Sequence, residues 1–202
     1  MFKVAIVGHS QVPKDFKYEG TEVRTYRAPG GKAVKFENDE RLNKVLEWKH
    51  DLTFLWIGSN DIDPDTAPWP LAKKILEIAQ VIKVNCESEV IIVEIENREN
   101  TSRSRITNEQ YKKVKRGVNR HLLKDKVFLS INFGATFFTL ARDGVHFETE
   151  AKDLVRQKFV RNIRKYKEKK ETSSVVPSKT VTQPDSPTAS TSAQSAGPST
   201  SK

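Results

Sequence analysis

Four short segments of this chain carry the groups that ester hydrolysis needs. They are Val7-Gly8-His9-Ser10, Pro29-Gly30-Gly31, Gly58-Ser59-Asn60-Asp61 and Asp143-Gly144-Val145-His146. Together they supply a hydroxyl nucleophile, an imidazole base, a carboxylate to orient that base, and amide donors for a developing oxyanion. The four segments therefore predict nucleophilic chemistry at a serine, with an ester as the substrate class.

Ser10 is the candidate nucleophile. Gly8, two residues earlier, allows the backbone to turn sharply and expose the hydroxyl group, and the amide at the same turn can face an oxyanion. A serine in this place can equally cap the helix that follows, so Ser10 alone leaves that alternative open.

Three other sequence motifs that follow a strand are absent. The segment contains neither Gly-x-Gly-x-x-Gly nor Gly-Lys-Ser/Thr, and Val12 stands where a Gly-x-Ser-x-Gly elbow needs glycine.

Asp143 and His146 are the candidate partners of Ser10. A serine hydroxyl becomes a good nucleophile when a neighbouring imidazole accepts its proton, and a carboxylate must hold that imidazole in the right tautomer. The close spacing of the two residues lets a single loop deliver both groups. The alternative is an ordinary Asp-Gly turn beside an incidental surface histidine.

The candidate oxyanion donors come from the middle segments and from the nucleophile itself. Asn60 can point its side-chain amide into the site, Gly30 can offer its backbone N–H, and the Ser10 N–H completes the set. The alternative for Asn60 is an Asx turn at the end of a strand.

The spacing of apolar residues places these segments on an α/β fold. It predicts five strands, at Phe2–Val7, Val23–Tyr26, Leu52–Ile57, Val90–Ile95 and Val127–Ile131. It also predicts four helices: one capped by Asn38 or Asp39, one beginning at Pro70, one with a capping box at Thr107 and Gln110, and one after His146. Because strands alternate with helices, the sheet should be mostly parallel, and the segments should meet at the carboxyl ends of its strands.

These segments together resemble the SGNH hydrolase superfamily, also called GDSL-like lipases and esterases. The superfamily is named for Ser, Gly, Asn and His, which occur here in that order as Ser10, Gly30, Asn60 and His146. The resemblance implies a flavodoxin-like three-layer α/β/α sandwich with a mostly parallel five-stranded sheet. It also implies a catalytic triad completed by Asp143, and an oxyanion hole formed by the Ser10 and Gly30 amides and the Asn60 side chain.

The first segment departs from the superfamily pattern, which usually reads Gly-Asp-Ser where this chain has Gly8-His9-Ser10. The missing aspartate is not the catalytic acid of the superfamily, so activity is compatible with the change, but the hydrogen bonds around the turn must differ. The glycine segment fits loosely, so Gly31 is an alternative to Gly30 as the donor. The compact domain and its tail are also similar to SGNH domains encoded within animal transposable elements.

Composition divides the chain into an SGNH-like domain over residues 1–170 and a tail over residues 171–202. The tail is rich in Ser, Thr, Pro and Ala and has no aromatic residue, so we expect it to be disordered. The single cysteine, Cys86, excludes an internal disulfide, and no Cys/His cluster indicates a metal or cofactor. Without a signal-like or membrane-spanning run, we expect a soluble cytoplasmic protein.

Positive charge is concentrated near the end of the domain. The formal net charge is +9, and much of the excess lies between Arg156 and Lys170. A solvated helix face explains such a run, and non-specific nucleic-acid binding is the sharper alternative. The candidate contacts are Arg156, Arg161, Arg164, Lys165 and Lys167. The alternative function is thus an SGNH fold without turnover that binds nucleic acid or a partner through this helix.

Overall fold

The computed structural model describes residues 1–36, 39–99, 101, 105–132 and 140–174. The strands are β1 (Phe2–Gly8), β2 (Thr21–Arg27), β3 (Leu52–Trp56), β4 (Glu89–Val93) and β5 (Leu129–Ile131). The helices are α1 (Ala33–Phe36), α2 (Glu40–Glu47), α3 (Pro68–Cys86), α4 (Asn108–Lys124) and α5 (Thr149–Ser174). All five strands are parallel and lie in the order β2-β1-β3-β4-β5.

Helices cover both faces of this sheet, as the alternation along β1 requires. Ala5 and Val7 point into one apolar cluster, which also contains the buried residues of α2, α3 and α4. Val4 and Ile6 point the other way, into a cluster with the buried face of α5. Successive strand residues project to opposite faces, so a strand covered on both sides is apolar throughout. The predicted three-layer α/β/α architecture with five strands is confirmed.

The helix starts follow the capping signals, with one shift. Asp39 caps α2 by accepting a hydrogen bond from the Arg41 N–H at 2.9 Å, whereas Asn38 lies outside the described residues. Thr107 and Gln110 form the predicted reciprocal capping box of α4. Helix α3 begins at Pro68 rather than at Pro70, because the earlier proline occupies the first helical position and fixes the backbone angle there.

Helix α1 was not predicted, and a distant carboxylate explains why it forms. Asp61 accepts hydrogen bonds from the N–H groups of Ala33 and Val34 at 2.8 and 3.2 Å, and so caps this single turn across the sheet edge. At the other end of the domain, α5 continues to Ser174, and residues 175–202 lie outside the described part of the chain. No helix among the described residues is both long and apolar enough to cross a membrane.

Candidate active site

The first candidate segment leaves β1 where that strand packs tightly against β3. The His9 N–H donates to the Trp56 carbonyl oxygen at 3.2 Å, and the Ala28 N–H donates to the Gly8 carbonyl oxygen at 2.7 Å. A Cβ atom on Gly8 would collide with the Trp56 carbonyl group, so only glycine fits at this position. These bonds tie the ends of β1, β2 and β3 together, directly before Ser10.

Ser10, His146 and Asp143 form one hydrogen-bonded series. His146 Nε2 lies 3.2 Å from Ser10 Oγ, and His146 Nδ1 lies 2.5 Å from Asp143 Oδ2. The other Asp143 oxygen accepts the backbone N–H groups of Val145 and His146, each at 2.9 Å. The His146 side-chain bond, followed by these backbone bonds, holds the pKa of the Asp143 carboxyl well below its usual range.

The ionised Asp143 fixes the role of each imidazole nitrogen. A carboxylate can only accept hydrogen bonds, so His146 Nδ1 carries the proton of that contact. In the neutral ring, His146 Nε2 is then an acceptor that faces the hydroxyl of Ser10. This is the protonation pattern that a general base needs before it accepts a proton from serine.

Gln11 holds the loop that carries His146. Its buried side chain donates from Nε2 to the Val145 carbonyl oxygen at 2.6 Å, and its Oε1 accepts the Phe147 N–H at 3.3 Å. The two bonds bracket His146 on either side and fix the loop relative to Ser10, the residue directly before Gln11 in the chain. Sequence reasoning missed this residue, because an isolated glutamine beside a serine carries no recognisable signal.

The two middle segments meet at the Asn60 side chain. Asn60 Nδ2 donates to the Gly31 carbonyl oxygen at 3.1 Å, which uses one of its two protons. The Gly31 N–H is occupied by the Ala28 carbonyl oxygen at 2.7 Å. Gly30 has a left-handed backbone (φ 71°), and its N–H has no hydrogen-bond partner among the described residues. The geometry therefore favours the Gly30 amide over that of Gly31 as the available donor.

The buried side chain of Arg98 orients the Asn60 amide. Arg98 Nη2 donates to Asn60 Oδ1 and to Ser59 Oγ, both at 2.8 Å. The same nitrogen lies 3.7 Å from a carboxylate oxygen of Glu96, and both charged side chains are buried. The Asn60 amide is thus held at its oxygen by Arg98 and at one N–H by Gly31.

His9 occupies the place of the usual aspartate and joins this buried network. The Gln11 N–H donates to His9 Nδ1 at 3.3 Å, so the ring proton sits on Nε2, which lies 3.4 Å from Glu96 Oε2. Trp56 Nε1 also donates to this carboxylate, at 3.1 Å. Burial raises the pKa of Glu96, but its contacts with His9 and with the Arg98 guanidinium outweigh burial and hold that pKa below its ordinary value.

The structure thus brings Ser10, Asp143 and His146 into contact, and it places Gly30 and Asn60 at the same sheet edge. Gln11, Glu96 and Arg98 had not been identified from the sequence. For the last two a signal existed, since both are charged residues in the short segment that follows the end of β4, at that same edge of the sheet. In the part of the chain that the structure describes, no three His, Cys, Asp or Glu residues group in a way that could hold a metal ion.

The basic run of α5 does not form one uniform face. Lys167 Nζ lies 5.7 Å from the centre of the Tyr18 ring, and Arg156 pairs with Asp153 at 3.0 Å. Arg161, Arg164 and Lys165 are exposed. Among the five candidate residues, these three are exposed and have no ion-pair partner in the described part of the chain.

Comparison by sequence found no matching family model and no similar curated protein. Solved structures do match. A lipase/acylhydrolase from Enterococcus faecalis has a TM-score of 0.64 at 19% identity, over 82% of this chain and 96% of that one. A GDSL-like lipase from Bacteroides thetaiotaomicron has a TM-score of 0.62 at 18% identity, over 81% and 88%. A carbohydrate acetylesterase from Sinorhizobium meliloti has a TM-score of 0.63 at 12% identity, over 82% and 99%.

Many of the matching structures are SGNH or GDSL-like hydrolases, which agrees with the resemblance seen in the four segments. An origin within an animal transposable element stays a prediction. The arrangement of the sheet and its helices is that of these hydrolases, and the chain therefore has the SGNH hydrolase fold.

Proposed function

We propose that this protein is a serine esterase that cleaves a carboxylic ester, acyl or acetyl, through Ser10, Asp143 and His146. The observation that carries the proposal is the hydrogen-bonded series from Asp143 through His146 to Ser10, at 2.5 and 3.2 Å. The acylhydrolase and acetylesterase with the same fold support ester hydrolysis as the reaction.

The reaction begins with attack of Ser10 Oγ on the ester carbonyl carbon while His146 Nε2 accepts the hydroxyl proton. The tetrahedral oxyanion is stabilised by the N–H groups of Ser10 and Gly30 and by the second amide proton of Asn60. His146 then gives its proton to the leaving alcohol, and the acyl group remains on Ser10. Water attacks this acyl group, His146 accepts a water proton, and the proton returns to Ser10 Oγ as the acid leaves.

Hydrolysis of 4-nitrophenyl acetate by purified variants tests this proposal. Ser10→Ala and His146→Ala should each remove nearly all turnover, and the double variant should be little worse, because members of a triad act as a unit. His121→Ala on α4, a half-exposed histidine remote from β1, serves as the control. Wild-type turnover in a folded Ser10→Ala protein would overturn the mechanism.

We propose as a second, separate property that α5 binds nucleic acid weakly and without sequence preference. The observation that favours it is that Arg161, Arg164 and Lys165 are exposed and have no ion-pair partner among the described residues. Such contacts would be made to phosphates, so binding should weaken steeply with salt. The alternative of a fold without turnover requires this binding together with an unreactive Ser10.

A further inference from the structure

A cleft of about 310 Å³ opens beside Ser10 and His146. Apart from His146, the ionisable side chains in its wall are all cationic, and they belong to Lys14, Arg27, Lys152 and Arg156. None of the described residues that line the cleft is acidic. A ligand that enters it therefore meets one sign of charge on several sides.

Arg27 is the most informative of these cations. It ends β2, is half-buried, and donates from Nη2 to the carbonyl oxygen of Ser10 at 2.7 Å. Its Nε is buried without a hydrogen-bond partner, and no carboxylate of the described residues lies within ion-pair distance. Burial of part of a guanidinium costs free energy, and a nearby anion offsets that cost. Arg27 is therefore held at the Ser10 backbone and has no counterion among the described residues.

The other cations enlarge the same positive surface. Lys152 and Arg156 lie four residues apart on α5, so they share one face of that helix. Arg156 is paired with Asp153 at 3.0 Å, but both side chains are exposed. Water screens such a pair, so Asp153 neutralises little of the positive charge of Arg156. Lys152 and Lys14 have no ion-pair partner in the described part of the chain.

We propose that this cleft binds an anionic group, a carboxylate or a phosphate, carried by the ester substrate close to its scissile bond. The claim that the anion belongs to a substrate rests on the proposed esterase function. The anion site itself is inferred from Arg27 and the cations around it. A planar guanidinium can present two parallel N–H groups to either anion. Because Arg27 donates a hydrogen bond to the backbone carbonyl oxygen of Ser10, an anion bound to Arg27 would lie close to the proposed nucleophile.

Binding to the Ser10→Ala protein, followed by NMR titration, tests the inference without turnover. Two pairs of small esters are compared: monomethyl succinate with dimethyl succinate for the carboxylate, and 2-acetoxyethyl phosphate with 2-methoxyethyl acetate for the phosphate. We expect roughly tenfold tighter binding of the anionic member of at least one pair, since one charge-assisted contact is worth about that much. The preference should shrink as salt is added.

Variants assign the preference to the cleft. Arg27→Gln should remove most of it, Arg156→Gln part of it, and Arg120→Gln, an exposed arginine on α4, none. If Arg27→Gln fails to fold, the double variant Lys152→Gln/Arg156→Gln replaces it, with loss of more than half of the preference as the supporting result. Preferences below about threefold in both pairs, or a preference that survives these changes in folded protein, would overturn the inference.

The same proteins separate this inference from the esterase proposal. Wild-type protein that binds the anionic esters selectively but hydrolyses neither them nor a neutral aryl ester would contradict the esterase function and leave the anion site standing. Hydrolysis of the neutral aryl ester without any anion preference in the Ser10→Ala protein would do the reverse.

Discussion

Gln11→Met is the sharpest test of how the loop with His146 is held. Methionine has a similar length but cannot form the two hydrogen bonds to the backbone of Val145 and Phe147. Each such bond contributes about 1 kcal/mol net, so the loop loses about 2 kcal/mol of restraint. That free energy lowers the equilibrium constant for the arrangement in which His146 reaches Ser10 by roughly 30-fold.

The turnover number for 4-nitrophenyl acetate should therefore fall by roughly one to one and a half orders of magnitude, more than any change in KM. Thermal melting should show that the fold persists, and Gln157→Met, an exposed glutamine on α5, should behave as wild type. A folded Gln11→Met protein with turnover within about twofold of wild type would show that other contacts suffice to place His146.

Three further expectations concern the network behind the site and the surface of α5. Asn60→Ala should lower kcat about a hundred- to a thousandfold with little change in KM. Arg98→Gln should lower kcat less, because Arg98 reaches the proposed oxyanion hole through the Asn60 amide and donates no hydrogen bond to the oxyanion itself. A rise in KM at unchanged kcat in either variant would contradict this assignment. The pKa of Glu96 in the folded state lies below its ordinary value of 4.5. The ionised Glu96 carboxylate therefore contributes its full stabilisation above pH 4.5, and this stabilisation is lost as the pH falls through the folded-state pKa. Denaturant titrations should show unfolding free energy falling below that pH less steeply in Glu96→Gln than in wild type, and equal slopes would refute the assignment. Single-stranded nucleic acid should bind with a micromolar or weaker Kd that rises steeply with salt. The Kd should be higher still for the double variant Arg161→Gln/Arg164→Gln. Absence of binding at low salt would refute nucleic acid as a partner.

Local rules explain why the candidate segments could be located from the sequence. A parallel strand that is buried on both faces reads as an apolar run, and its end is marked by the polar turn that follows. Ser10 and Asn60 each follow such a run, so their placement at one sheet edge required no knowledge of distant contacts.

The contacts that hold these groups are long-range, and no local pattern encodes them. Asp61, which follows β3, caps α1 on an earlier part of the chain. Gln11 binds the backbone of Val145, which is 134 residues away in the sequence. His9 illustrates the limit well. The sequence shows only that it replaces an aspartate, whereas its role as a partner of Glu96 depends on β4 lying beside β3.

The most direct measurement is labelling of Ser10 by a fluorophosphonate probe, located by peptide mass mapping. The hydroxyl oxygen must attack phosphorus and displace fluoride, so the reaction requires an activated serine but no knowledge of the natural substrate. We predict a label on Ser10 in the wild-type protein, none in Ser10→Ala, and strongly slowed labelling in His146→Ala. A folded wild-type protein without a label on Ser10, or an unchanged rate in His146→Ala, would contradict the assignment of Ser10 and His146 as nucleophile and base.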